Sequence, residues 1–454
     1  MEAELLILGG GPAGYSAAYR AITAGVKPIL VEKARLGGTC LQTGCIPTKT
    51  LLAGAEALSK ARRAEAFGFS TGEIRVEMAG LHARKRAVVE TLTASLGESL
   101  RRKGAVIIEG TARMTAPDRV RVEMSSGSVE EISARRVVVC TGSAPRAFPG
   151  VSLVPGRIMT SEELIRSDSW PASMLVVGGG AIGVEFACLL SRMGVNITIL
   201  EALGSLLGTE DSEIGRRVAR TLSASGVEVR VNEGVSKVEL GAGSVIVTTS
   251  TGAILEREAL LLATGRAPVL DGIPAKMIGM ALSDGGAIIV DGHMGTSLPG
   301  VFAAGDVTGG IQLAHTAMAQ GRRAAASALN VPDDVDLETI PRCVYSLPEV
   351  ACVGLSEDAA RARNIKFRKS SVPFRSMGRA HCMEETEGFV KVIAEEGTGK
   401  LLGVHMLGHG VSEMISEAGL AISLGITASR LAAVQHPHPT LSEALQEACI
   451  AIAV

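Results

Sequence analysis

The sequence predicts an α/β protein: two βαβ units of one pattern, the second set within the first, followed by an α+β C-terminal domain. Three observations carry this. Short apolar strands run into glycine turns and Ala-rich helices at both Glu4–Leu8 and Met174–Val177. Each half later closes on a strand followed by Thr-Gly, at Thr141-Gly142 and at Thr264-Gly265. From Pro341 the composition shifts to a mixture of strand-like and helical stretches.

In order, Glu4–Leu8 enters a helix reaching about Ala24, and Pro28–Val31 forms the next strand. Residues 50–103 read as long helices, with apolar residues spaced three and four apart. Strands begin at Ala105 and end in Arg136–Val139. The second unit repeats the order through Met174–Val177, Asn196–Leu200, strands around Val227–Val247, and Leu260–Ala263. These breaks divide the chain into 1–146, an inserted 147–267, a return to the first domain over 268–340, and 341–454.

Composition narrows the function. A chain of 454 residues exceeds one core, and 46% hydrophobic residues indicate a well-packed globular protein. Every apolar run is broken before membrane-spanning length. A net charge of −2 gives no general attraction to nucleic acid or anionic lipid. The basic clusters Lys60–Arg63, Arg84–Arg86 and Arg101–Lys103 read as solvated helix faces. Eight cysteines form no disulfide framework or metal-ligand spacing, and all but Cys40 and Cys45 read as small core hydrophobes. A strand pattern by Leu5 leaves no room for a targeting peptide, so a cytoplasmic location is expected. No metal site is expected.

Gly9-Gly-Gly11-Pro-Ala-Gly14 follows the first strand and opens a helix, with Glu32 at the end of the next strand. Gly9 allows a tight turn, Gly11 lets a pyrophosphate approach the backbone, and Gly14 lets helix pack on strand. The helix N-terminus offers N–H groups to phosphate, and Glu32 can accept from a ribose 2′-hydroxyl. Gly178-Gly-Gly180-Ala-Ile-Gly183 repeats this after Leu175–Val177, with Glu201 closing Asn196–Leu200. One such match is weak. Two, each with its acid, indicate two Rossmann-like nucleotide-binding domains. Glu201 repels a 2′-phosphate, and Ala202-Leu-Gly-Ser-Leu-Leu207 supplies no arginine to receive one, so NAD is favoured over NADP. Arg216 and Arg217 read as exposed helix residues.

Leu36-Gly-Gly-Thr-Cys40-Leu-Gln-Thr-Gly-Cys45-Ile-Pro-Thr-Lys49 places two cysteines five positions apart. Five residues of regular helix rise about 7.5 Å, beyond the reach of a disulfide. Bonding Cys40 to Cys45 therefore needs a distorted turn, which Gly37, Gly38 and Gly44 permit. Pro47 suits a first helical turn, placing Cys45 near a helix N-terminus that stabilises a thiolate. Such a close, strained pair is of the reducible kind.

These motifs, with Thr296–Asp306, Leu313-Ala-His315, Tyr345-Ser-Leu-Pro-Glu349 and His436-Pro-His438-Pro-Thr-Leu-Ser-Glu443, resemble the class I pyridine nucleotide–disulfide oxidoreductases over nearly the whole chain. The resemblance is strongest to the branch that oxidises dihydrolipoamide. It implies FAD held by Gly9, Gly11, Gly14, Glu32, Lys49, Thr141, Gly142, Asp306, Ala314 and His315. It implies NAD held by Gly178, Gly180, Gly183, Glu201 and Gly265, and a homodimer built on the C-terminal domain.

Under the same resemblance, Cys40 exchanges with substrate and Cys45 faces the flavin. His438 is the base and Glu443 orients it, because an imidazole exchanges protons in the working pH range. His438 would serve the disulfide of the other subunit; His436 is the weaker candidate. Lys49 and Glu185 would form a pair near the flavin N5 edge. The implied partner is a lipoylated carrier protein of a 2-oxo acid dehydrogenase or glycine cleavage system. Alternatives are a related disulfide or mercuric reductase, or a non-catalytic subunit. The mercuric branch wants a C-terminal cysteine pair, whereas only Cys449 is there. Glutathione-type reductases want a basic 2′-phosphate site, against Glu201.

Overall fold

The computed structural model describes residues 1–453. The chain forms two compact units: 1–50, 79–147 and 265–337 in one, and 51–78, 148–264 and the chain from Glu338 in the other.

In the first unit Glu2–Leu8 is a central parallel strand, paired with Ile29–Glu32 on one side and Val129–Val139 on the other. Val106–Ala116 and Val301–Ala303 extend the parallel sheet at its two sides. Arg119–Met124 then links Val106–Ala116 to Val129–Val139 as an antiparallel meander. Period-two alternation sorts the central strand's side chains. Leu6 and Leu8 join one core with Ile29, Val31 and Val139, while Leu5 and Ile7 join another with Ala13, Ala17 and Ala324. Each fully buried Leu or Ile contributes about 1.5–3 kcal/mol. The second core is closed by the helices Pro12–Thr23 and Ala314–Leu329. They cross closely because position 321 is glycine: a Cβ there would lie 2.1 Å from the Ala13 carbonyl oxygen.

The second unit repeats this topology. Ser173–Val177 is central, between Asn196–Leu200 and Ala259–Leu262, with Glu228–Arg230 and Ile158–Thr160 outside, all parallel. A three-stranded antiparallel meander, Val235–Leu240, Val245–Thr249 and Ile254–Arg257, again precedes the last central strand.

The same unit holds a five-stranded antiparallel sheet ordered Arg342–Val344, Glu349–Gly354, Leu401–Gly408, Phe389–Glu395, Phe367–Pro373. One face packs on the helices Val411–Ser423 and Glu443–Ile450 through Ala351, Val353, Val404, Ile415 and Leu445. Register places Arg342, Cys352, His405, Lys391 and Ser371 side by side across the five strands. This polar row meets acids. Lys391, 3% exposed, lies 2.9 Å from Asp211 and also contacts Glu357. Arg342 holds Glu210.

The buried cluster makes stability depend on pH. Burial pushes the Asp211 and Glu357 carboxyls up, but hydrogen bonds from Lys391 overcome it and both settle below their usual range. Burial lowers Lys391, and bonds to Glu357 and Asp211 reverse that. Depressed carboxyls stabilise the fold above their unfolded values near 4, and that contribution is lost as pH falls through the folded values. A raised lysine contributes below about 10.4 and loses its contribution above it. The melting temperature is therefore expected to fall on the acid side of about pH 4. Lys391→Met leaves buried Asp211 with backbone N–H donors but without its cation, while Glu357 keeps Lys369 at 2.9 Å, and should cost about 3–5 kcal/mol at pH 7. Its melting temperature should instead rise as pH drops from 7 towards 5, checked by calorimetry across pH; slopes of the same sign in both proteins would contradict this account.

Three expectations change. Residues 50–103 are not continuous helix: one helix ends at Arg62 and the next runs Met78–Arg102. Between them Gly68 takes φ +81°, and Gly72 with the β-branched Ile74 and Val76 breaks the helical period. Of the basic clusters, Lys85 turns inward, its Nζ 3.2 Å from His82 Nδ1. It lies on the same helix face as His82 and Val89, three and four positions away. Among the remaining cysteines, Cys382 is exposed and Cys343 half-buried, whereas Cys140, Cys188, Cys352 and Cys449 are core residues.

Candidate active site

In the first unit the cysteine turn is pinned to the first glycine fingerprint. Gly37 N–H donates to the Gly10 carbonyl at 2.9 Å, and a Cβ on Gly38 would lie 2.8 Å from Gly11 Cα. Gly37 and Gly38 take φ +95° and +56°, so chain direction and close approach both require glycine. The turn yields a short helix, Gly38–Gln42, then a new one starting at Cys45. This break in helical rise brings Cys40 and Cys45 into contact. The bond to Cys45, then burial, push the Cys40 thiol up, while Lys49 pulls it down. Cys45 opens its helix, where the N-terminus favours a thiolate. Tyr15 stands beside the pair; burial, then both sulfurs, push its hydroxyl to about 12. Gln42 braces the turn, donating to the Leu36 carbonyl and to Thr93, both at 2.8 Å.

The fingerprint residues fit a dinucleotide. A Cβ on Gly14 would lie 1.8 Å from the Gly9 carbonyl oxygen, so only glycine lets this helix lie on its strand. The helix Pro12–Thr23 starts at Gly11 with no side-chain cap, leaving its first N–H groups for a phosphate. Glu32 is held by the N–H groups of Gly10 at 2.7 Å and Ala34 at 2.8 Å. Beside it opens a cleft of about 290 Å³ lined by Glu32, Arg35, Leu36, Glu90 and Arg101. Asp306 accepts from Ser143 Oγ at 2.5 Å, and Arg266 Nε donates to that hydroxyl at 2.8 Å. Gly142 takes φ +75°, and Thr141 donates to the Val269 carbonyl at 2.6 Å. Ala314 and the exposed His315 open the helix Ala314–Leu329, again without a side-chain cap. These groups fit FAD.

The second unit repeats the device. A Cβ on Gly183 would lie 1.9 Å from the Gly178 carbonyl oxygen, while one on Gly180 would meet nothing within 4 Å. The helix Ala181–Arg192 is uncapped. Glu201 accepts from Gly179 N–H at 2.6 Å and Leu203 N–H at 2.7 Å, as Glu32 does in the first unit. These groups fit NAD. Arg216 and Arg217 are exposed, and Arg217 is spent on Glu213 at 3.3 Å and the Phe389 ring at 5.2 Å. Gly265, at φ +102°, belongs to the first unit. Glu185 is buried and accepts the Tyr345 N–H at 2.9 Å.

His438 Nδ1 lies 2.8 Å from Glu443 Oε1, and Thr440 N–H donates to the other carboxylate oxygen at 2.7 Å. Those bonds, Thr440 first, hold the Glu443 carboxyl below its usual range. Glu443 is therefore ionised, the ring donates through Nδ1, and Nε2 is left to take a proton. The His438 side chain is 79% exposed. His436 is turned in, 4% exposed and 3.0 Å from Glu417, though off the line of a hydrogen bond.

The sequence reading missed Ser143, Arg266 and Gln320, the last accepting Gly305 N–H at 2.9 Å. Only Arg266 carried a signal, as the residue after Thr264-Gly265.

Comparison with known proteins follows the same outline. The model of the pyridine nucleotide-disulphide oxidoreductases matches residues 3–321, and that of their dimerisation domain matches 340–449. A dihydrolipoyl dehydrogenase of Chlorobaculum tepidum is 38% identical, with 98% of this chain and 96% of that one covered. One of Bacillus subtilis is 36% identical, covering 99% and 98%. Among solved structures, LpdA of Mycobacterium tuberculosis superposes with a TM-score of 0.93 at 29% identity, over 99% of each chain. The HOCl-induced flavoprotein disulfide reductase RclA of Escherichia coli, a Cu(II) complex, superposes at 0.89 with 28% identity over the whole of both chains.

Proposed function

This chain belongs to the pyridine nucleotide–disulphide oxidoreductases, flavoproteins that work with FAD and NAD, and on that premise we propose that it is a dihydrolipoyl dehydrogenase. The observation that carries this reading is the presence in one chain of a Cys40–Cys45 pair in contact and an exposed His438–Glu443 dyad. The thiol pair exchanges with a dithiol or a disulfide, and the dyad moves the proton that this exchange releases or takes up. The dihydrolipoyl dehydrogenase relatives favour the oxidising direction.

The chemistry runs in two exchanges. His438 takes a proton from one substrate thiol, and the resulting thiolate attacks the Cys40 sulfur of the oxidised pair. The Cys40–Cys45 bond breaks, a mixed disulfide forms on Cys40, and Cys45 leaves as a thiolate that the helix N-terminus stabilises. The second substrate thiol then attacks the mixed disulfide and displaces Cys40, its proton passing to the departing Cys40 sulfur. Lipoamide leaves as the disulfide, and the protein holds the two electrons as a dithiol. FAD, when bound, supplies the two-electron relay by which NAD⁺ becomes NADH. Lys49, one helical turn beyond Cys45, favours negative charge on that side of the turn.

The enzyme works as a homodimer through its dimerisation domain. The substrate proposed is a lipoyl group on a carrier protein of a 2-oxo acid dehydrogenase or of the glycine cleavage system. A cytoplasmic location goes with this reading, since a reducing compartment keeps the thiol pair reversible.

Steady-state turnover of dihydrolipoamide with NAD⁺ and NADP⁺, and of glutathione disulfide and mercuric ion with NADH and NADPH, tests the proposal. Dihydrolipoamide with NAD⁺ should exceed every other combination by at least about 10²-fold. Faster reduction of glutathione disulfide or mercuric ion would replace the proposal with a reductase.

A further inference from the structure

Residues 201–211 join the strand Asn196–Leu200 to the helix Ser212–Ala224, and both ends of this strap are anchored. The near end lies on the second fingerprint. Gly179 N–H donates to Glu201 at 2.6 Å, and Leu207 N–H donates to the Gly179 carbonyl at 2.8 Å. The Leu206 side chain covers Gly179, where a Cβ would come within 2.4 Å of it.

The far end is tied to the polar row of the antiparallel sheet. Glu210, 6% exposed, takes Arg342 Nε on both oxygens at 2.9 and 3.0 Å. Asp211, 1% exposed, takes Lys391 at 2.9 Å. Tension at Glu210 reaches the fingerprint directly, because Glu210 N–H donates to the Leu207 carbonyl at 2.8 Å. Leu207 sits at φ +50°, a left-handed conformation that leucine adopts only under constraint. The surroundings must hold it there.

We propose that Arg342 is a positioning residue for NAD: by gripping Glu210 it keeps Leu207 left-handed and the strap closed on Gly179. It thereby sets affinity for the adenosine end of the nucleotide. The inference rests on the reading of Gly178–Gly183 and Glu201 as the NAD site. Lys391 and Asp211 form a second tether, so loss of Arg342 loosens the strap without freeing it.

The experiment measures ADP-ribose binding to the FAD-loaded dimer by calorimetry, alongside KM for NAD⁺, KM for dihydrolipoamide and kcat. Arg342→Gln and Glu210→Gln should each raise the ADP-ribose Kd and the NAD⁺ KM by about 3- to 30-fold. The kcat at saturating NAD⁺ and the KM for dihydrolipoamide should stay near the starting values. Arg342→Lys, which keeps the ion pair, should restore most of the affinity. Unchanged Kd in the folded variants overturns the assignment, and so does a matching fall in kcat and bound FAD, which would signify general damage. Should Arg342→Gln not fold, Glu210→Gln decides alone. An unmodified enzyme that turns over dihydrolipoamide yet binds no ADP-ribose would refute the nucleotide site itself, and this inference with it.

Discussion

Serine at position 45 is expected to abolish dihydrolipoamide oxidation, lowering kcat by about 10⁴-fold or more, as loss of a covalent nucleophile does. A substrate thiolate must attack a sulfur whose bond partner can leave. With Cys45→Ser no disulfide exists, so the attacked atom and the leaving group vanish together. The fold should survive, because Cys45 is only partly buried at the first position of its helix and serine is tolerated at such ends. FAD should remain bound, since its cradle at Gly9–Gly14, Glu32 and Asp306 is untouched. The two cysteines are not equivalent, however. Cys40→Ser should lose turnover to the same extent, yet leave Cys45 as a lone thiolate at the helix N-terminus. Iodoacetamide trapping across pH, read by mass spectrometry, measures this: Cys45 in the Cys40→Ser protein should react at lower pH than Cys40 in the Cys45→Ser protein. The reverse order would exchange the roles assigned to the two sulfurs.

The second large effect is expected at the other end of the chain. His438→Ala should lower dihydrolipoamide oxidation by about 10²–10⁴-fold, the range for losing a general base. Glu443→Gln should cost less, because the ring stays in place but its charged form loses the carboxylate that stabilises it. Stopped-flow and steady-state rates measure both. Near-unmodified rates in His438→Ala would eliminate the base assignment. The proposed placement across the dimer adds a sharper test. Cys45→Ser and His438→Ala chains, each inactive alone, are co-expressed to form mixed dimers. If His438 serves the partner subunit's disulfide, each mixed dimer holds one intact site. Random pairing then restores roughly a quarter of the unmodified activity per chain. If the base acts within its own chain, no intact site forms and activity stays near zero.

How much of this was legible before folding depended on whether a role could be expressed locally. Gly9, Gly14, Gly178 and Gly183 were readable because a helix must cross its strand within van der Waals reach, and only glycine permits it. The redox turn was readable for the same reason: a five-residue spacing cannot close in regular helix. Lys85 was misread because a run of basic residues gives no sign of which one lies on the helix's inner face. The break after Arg62 was missed because Ala- and Leu-rich composition outweighed two glycines and two β-branched residues. Cys382 was misassigned because cysteine's usual preference for the core says nothing about one position.

Ser143 and Arg266 lay beyond such reading. Their role is a chain of hydrogen bonds to Asp306 between residues more than a hundred positions apart. The polar row from Arg342 to Ser371 is another case: its members are scattered in sequence and become neighbours only through strand register.

By itself the sequence placed a closely spaced thiol pair and two nucleotide cradles, whose geometry follows from backbone sterics, and its resemblance to a known family pointed to the His438–Glu443 dyad. Only the tertiary structure decided which charges are buried, which histidine turns inward, and what holds the strap over the second fingerprint. Those outcomes depend on long-range packing and desolvation, which no local spacing encodes.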